Sequence, residues 1–181
     1  YQILISILVL TILNHGATAD ILTDIWGASA ISNPNFKNDP IVKELISFNY
    51  YTALVRSPIA AEYLIQNVVD IGTMTKVMAK IIESVSAGSN ISPRYSDIFK
   101  TLVRFSSVQS LFSEKGKRAA IINYYESIRN LNNCKFNPLF WLQYAIACLV
   151  IKEIHQSKIY FETAYSLARN KGWNTFQIDN H

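Results

Sequence analysis

Trp141-Leu142-Gln143-Tyr144-Ala145-Ile146-Ala147-Cys148 and, after a short gap, Ser157-Lys158-Ile159-Tyr160-Phe161-Glu162-Thr163-Ala164 form the stretch whose reading decides the fold. Trp141, Ala145 and Cys148 share one stripe of a helix, and Ser157, Phe161 and Ala164 share one stripe of the next. Small residues on facing stripes let two antiparallel helices approach closely, and Trp141 and Phe161 are expected to fill the angle between them. A single hairpin of this kind cannot bury its apolar face alone and must lean on neighbours.

The spacing is that of a tetratricopeptide unit. Ala120, Tyr124 and Ser127 echo Ser157, Phe161 and Ala164 upstream, at an offset a few residues longer than the usual repeat, so an enlarged loop is expected between them. Such arrays work through surfaces, and nothing in the repeat performs chemistry. Because about three units are needed for stability, and because the chain opens on Tyr1 and closes at His181, it is expected to continue at both ends.

Composition narrows the class. Half of the 181 residues are hydrophobic and 17% are charged, with 6 Gly and 5 Pro, which favours ordered helices over disorder. The net charge of +4 is scattered, with no basic run longer than Lys115-Gly116-Lys117-Arg118. A nucleic-acid binder concentrates its charge, so that class is disfavoured. Cys134 and Cys148 have no histidine at ligand spacing and read as a reduced pair, with no metal and no cofactor expected. No nucleotide, zinc-protease or nucleophile-elbow motif occurs, so the segment reads as non-enzymatic. The apolar opening from Ile3 to Leu13 is too short to span a bilayer and reads as a buried core helix ahead of a signal segment. A cytoplasmic, non-membrane protein is expected.

The prolines supply the punctuation. Asn33-Pro34, Asp39-Pro40, Ser57-Pro58, Ser92-Pro93 and Asn137-Pro138 each pair a capping side chain with proline. At least four should start helices, with Asn33-Pro34 read as a turn. Helices are expected over 2–14, closed by Gly16, and from Thr18 or Ala19 to Ile25, closed by Gly27. Further ones are expected over 40–48, 58–69 with Ile59, Tyr63, Ile65 or Gln66, and Val69 as its apolar positions, 70–85, 93–110, 117–131, 138–150 and 155–170, and one beginning near Asn174. Asn49 to Val55 reads as the one strand. Helices followed by a strand and a further helix match a winged helix-turn-helix order with a reduced wing. Ser86 to Asn90 is the expected linker, dividing a winged-helix-like portion, residues 1–85, from a tetratricopeptide-like α-solenoid portion, residues 91–181. The fold class is therefore mainly α.

Arg56-Ser57-Pro58-Ile59-Ala60-Ala61-Glu62-Tyr63-Leu64, Phe99 to Ser106, Asn137 to Ala147, Tyr160 to Ala168 and Gln177 to His181 occur in one order. Together they resemble the C-terminal half of bacterial STAND-type P-loop NTPases, some of which carry SIR2-like effector domains. The resemblance covers about Tyr50 to His181. It implies a winged-helix element followed by helical repeats that sense a trigger, an adjoining NTPase domain as partner, an oligomer formed through the parent protein, and a role in antiviral defence. The phosphate-binding motifs of that family are absent here.

Four residues are candidates for interaction. Arg56 could reach a phosphate of the adjoining domain, and Arg104, inside an apolar helix, could bind a ligand or pair with Glu126. Tyr144 is a candidate for a partner groove, and of Tyr124 and Tyr125 one ring should pack while the other is exposed, which makes Tyr125 a candidate. Trp141, Ala145, Phe161 and Ala164 are the expected core of the repeat. His155 beside Glu153 reads as a solvated loop histidine, not a catalytic dyad. The leading function is a non-catalytic interaction and regulatory module that couples an unidentified trigger protein to the NTPase. The alternative is a DNA-binding winged-helix regulator with a signal-sensing repeat domain. Against it, the candidate recognition helix Pro40 to Ser47 offers only Lys43, cancelled by Glu44.

Overall fold

A computed structural model describes residues 1–27, 32–88, 92–173 and 175. The chain is mainly helical, with a small three-stranded sheet. In order come α1 (Gln2–Ile12), β1 (Ala17–Thr18), α2 (Ala19–Trp26), α3 (Pro34–Asn38), α4 (Pro40–Leu45), β2 (Ile46–Phe48), β3 (Thr52–Val55), α5 (Pro58–Asn67) and α6 (Ile71–Gly88). The second half holds α7 (Pro93–Val103), α8 (Phe105–Leu111), α9 (Lys117–Ile128), α10 (Asn132–Lys135), α11 (Pro138–Val150) and α12 (Ile154–Asn170). The helix expected near Asn174 and the segment 177–181 lie outside the described residues.

Proline and its capping partner set most helix starts. All five prolines stand at the first turn of a helix, and Asn33, Asp39, Ser57 and Asn137 accept backbone N–H groups there. Asn33-Pro34, expected as a turn, opens the short helix α3 because its side chain takes the Asn35 N–H at 2.9 Å.

Helix ends differ from expectation where a non-glycine residue adopts the left-handed conformation. α1 closes at Asn14 (φ +59°), not at Gly16. His15 N–H reaches back to Leu10 O at 2.7 Å and Asn14 N–H to Thr11 O at 3.0 Å, the paired bonds of a Schellman end. α11 ends the same way on Lys152 (φ +72°) and α12 on Gly172 (φ +64°). Asn tolerates that conformation and Gly has no Cβ to obstruct it, whereas Lys152 is strained by it.

The first half wraps α1. Leu4 to Leu10 are buried on every side of it, as expected for a core helix, and its Ser6 hydroxyl both bonds Gln2 O and accepts the Trp26 indole N–H. Among the described residues no helix is long and apolar enough to cross a membrane. The sheet has the order β1-β3-β2, antiparallel throughout, with Ala53 paired to Ala17 on one side and Phe48 on the other. Two of these strands were not expected. β2 takes the residues read as the last turn of the preceding helix, because Ile46 is already extended and Asn49 Oδ1 holds the turn into β3 through Thr52 N at 2.7 Å. In α5 the buried side chains are Ala61 and Ile65, and Val69 just beyond it is half-buried, whereas Ile59 and Tyr63, also expected on the apolar face, stand in solvent.

α6 joins the halves. It packs on α1 and α2 in one direction and on α7 and α9 in the other. Met74, Val77, Met78, Ile81 and Ile82 are buried in a single apolar cluster that continues from α1 to α11. Ser86 to Gly88, expected as linker, are the last turn of this helix. Polar ties reinforce the junction: His15 Nε2 meets Thr101 Oγ1 at 3.0 Å, Arg94 donates to Gly16 O at 2.7 Å, and Gln66 donates to Ser110 O at 3.0 Å.

The helix expected over 93–110 breaks at Arg104, whose ψ of 123° is extended. The break leaves the Leu102 and Val103 carbonyls without helical partners, and a buried unpaired carbonyl is costly. Tyr124 and Tyr125 hydroxyls donate to them, each at 2.8 Å, and Gln143 Oε1 accepts the Phe105 N–H at 2.8 Å. One break is thus closed by side chains from two other helices.

Candidate functional site

α11 and α12 form the helical hairpin that the repeat spacing demands. Ala145, Cys148, Ser157, Ala164 and Ala168 are buried between or beneath the helices, and the Ser157 hydroxyl bonds Ala145 O at 2.9 Å across the close approach. The aromatic filling differs from expectation. Phe140, Tyr144 and Tyr160 occupy the interior, whereas Trp141 and Phe161 are half-buried at its edge. Trp141 packs on Phe140 and Tyr160 with centroids 5.2 and 5.1 Å away, and its indole N–H bonds Lys135 O at 2.8 Å.

α9 lies against this hairpin, and the three helices border a cleft of about 660 Å³. Glu126 forms its floor. The Tyr144 hydroxyl donates to Glu126 Oε1 at 2.5 Å, the Tyr160 hydroxyl lies 3.4 Å from the same oxygen, and Arg129 Nη1 stands 3.0 Å from Oε2. The Tyr144 and Tyr125 rings stack at 4.8 Å with 9° between planes. Burial, then the bond to Glu126, holds the Tyr144 phenol far above its ordinary range, and burial does the same to Tyr124 and Tyr125. Burial pushes the Cys148 thiol, at the cleft edge, up to about 12. A thiol held there is protonated at neutral pH and is a poor nucleophile. Arg118 and Gln156 border the opening. The cleft offers Arg118, the amides of Asn123 and Gln156, the paired Glu126 and Arg129, and the carboxylate of Glu153, so its polar lining carries both signs of charge.

Three of the four interaction candidates are corrected by their placement. Tyr144, 1% exposed, and Tyr125, fully buried, present no ring to a partner, because their flat faces are consumed by each other and by Phe140. Arg104 is not inside a helix. It is the exposed break residue, and Glu126 pairs with Arg129 in its place. Arg56 is exposed, and its Nε donates to Lys43 O at 3.2 Å, closing the last turn of α4. His155 is exposed in the first turn of α12. Cys134 and Cys148 are free and buried, and no group of three metal-ligating side chains gathers among the described residues.

Sequence reasoning missed the cluster of Glu126, Arg129, Tyr144 and Tyr160. Only the Glu126 and Arg129 spacing, three apart on one helix face, was visible beforehand. The convergence of both tyrosines on that carboxylate depends on how α9 meets the hairpin. Comparison with protein-family models, curated proteins and solved structures returns no match, so the chain's own geometry carries its functional reading.

Proposed function

We propose that the chain is a non-catalytic protein-interaction and regulatory module: the sensor arm of a larger P-loop NTPase, with a winged-helix-like portion leading into a tetratricopeptide-like array. The observation that carries this reading is the apolar surface left outside. Tyr50 and Tyr51 stand at the β2–β3 turn, Ile59 and Tyr63 on the outer face of α5, and all four are mostly exposed. Large apolar side chains left in solvent at a turn and along one helix are what a docking partner would cover. Supporting the winged-helix reading, helices precede a β2–β3 hairpin whose inner strand also pairs with β1. Supporting the repeat reading, α10 fills the enlarged loop expected between the two units.

In this reading the hairpin and α5 dock on the adjoining NTPase domain, and the repeat array holds the trigger protein. A trigger that favours one packing of the array shifts the balance at the NTPase through differential contact. The DNA-binding alternative is weaker. α4 has six residues, a rise of roughly 9 Å, and sets Lys43 beside Glu44.

The test is co-purification of this chain with a separately expressed, tagged P-loop NTPase domain of the STAND type. The double substitution Ile59→Ser, Tyr63→Ser is expected to abolish capture while leaving the melting temperature unchanged. Capture that survives it removes the docking surface from the proposal. A salt-sensitive gel shift with random duplex DNA would instead favour the alternative.

A further inference from the structure

A second cleft, of about 570 Å³, opens where α7, α10 and the start of α11 meet the end of α12. This volume lies in the range of pockets that enclose a small ligand. Among the described residues that line it none is acidic, and Lys100 and Lys171 both contribute. Neither lysine, nor Lys135 beside the cleft, takes part in any of the ion pairs formed among the described residues. Phe136 and Trp173, about half exposed, supply two aromatic walls. Lys135 Nζ lies 5.3 Å over the Phe136 ring and Lys171 Nζ 5.4 Å over the Trp173 ring. Each ring therefore carries a cation beside it and still shows surface to solvent. Asn132, exposed at the rim, adds an amide, and α11, a helix of 13 residues, turns its positive end toward the space through Asn137 and Leu139.

An aromatic platform, flanking ammonium groups and a free amide form the set that recognises a stacked base carrying a phosphate. We propose that this cleft binds a nucleoside phosphate, with the base stacked on Trp173 and flanked by Phe136, and the phosphate held by Lys100 and Lys171. The site is separate from the Glu126 cleft and does not depend on the protein-interaction reading.

The test is isothermal titration of the full chain with the four ribonucleoside 5′-monophosphates, inorganic phosphate, adenosine and a single-stranded hexanucleotide. At least one monophosphate is expected to saturate with a Kd below about 1 mM. Phosphate and adenosine should each bind roughly tenfold or more weakly, since each lacks half of the contacts. Lys100→Ala and Lys171→Ala should each weaken binding about tenfold, and Trp173→Ala by roughly 5- to 100-fold. Lys43→Ala, on the distant α4, should change nothing. No saturable monophosphate binding, or equal loss with Lys43→Ala, overturns the site. Phosphate binding as tightly as the nucleotide overturns the stacking, and a hexanucleotide binding far more tightly overturns the single-nucleotide occupant.

Discussion

Around α9 and α11, Tyr124, Tyr125, Tyr144 and Tyr160 lie inside the protein, whereas Tyr50, Tyr51 and Tyr63 of the sheet and α5 stand in solvent. The first half packs aliphatic side chains such as Ile7, Leu8, Leu10, Ile21 and Leu22 around α1. The second half buries rings, and each buried hydroxyl has a partner: Leu102 O, Val103 O or Glu126. The difference lies in available acceptors. A tyrosine goes inside only where something takes its proton donor, and the helix break at Arg104 frees two carbonyls to do so. Among the described residues the first half has a continuous helix at its centre, and the acceptor it gives a tyrosine is a side chain, Asp24 Oδ2, which takes the hydroxyl of the half-buried Tyr95.

The comparison breaks most directly at Tyr125. Tyr125→Ala empties a fully buried site and should cost about 3–5 kcal/mol, while Tyr63→Ala should stay within about 0.5 kcal/mol of wild type. Urea denaturation of both variants decides it. Equal midpoints would mean that the inside and outside tyrosines contribute alike.

A finer test keeps the rings and removes only the hydroxyls. Tyr124→Phe or Tyr125→Phe leaves the Leu102 or Val103 carbonyl buried and unpaired, for about 1–3 kcal/mol each. Hydrogen exchange should quicken first near residues 102–106. If both phenylalanine variants melt like wild type, the break at Arg104 is not sustained by these bonds.

Helix ends sharpen the comparison further. Lys152 occupies a left-handed position that Asn14 and Gly172 fill without the same strain. Lys152→Gly should therefore stabilise the protein by about 1 kcal/mol, read as a raised melting temperature, and Asn14→Gly by less. A lowered melting temperature for Lys152→Gly would show that the lysine side chain contributes more than its backbone strain costs.

The smallest effect is expected where the halves meet. Burial holds the His15 imidazole below its ordinary 6.5, against the opposing pull of Asp97 and with that of Arg94. The unfolded chain takes up this proton first as pH falls. The contribution is thus fully present above about pH 6.5 and is lost below it, until the folded imidazole also protonates. His15→Gln should flatten melting temperature against pH between about 7 and 5. An unchanged profile would assign that slope to other groups.

Local chemistry made much of the scaffold legible in advance. A cap followed by proline presets the first turn wherever it occurs, so Asp39-Pro40, Ser57-Pro58, Ser92-Pro93 and Asn137-Pro138 announced their helices. The small residues Ala145, Ser157 and Ala164 announced the α11–α12 hairpin, because close helix approach depends on side-chain size alone. The candidate site was far less legible. Whether Trp141 or Phe140 lies deeper, which face of α5 turns inward, and why a helix should break at Arg104 depend on neighbours distant in sequence. Glu126 meets Tyr144 and Tyr160, and Gln143 meets Phe105, only once α9 and the hairpin are docked. Periodicity reports that a face is apolar, but burial and hydrogen-bond satisfaction are properties of the packed whole. The tertiary structure therefore decided the site, while sequence determined the helices that frame it.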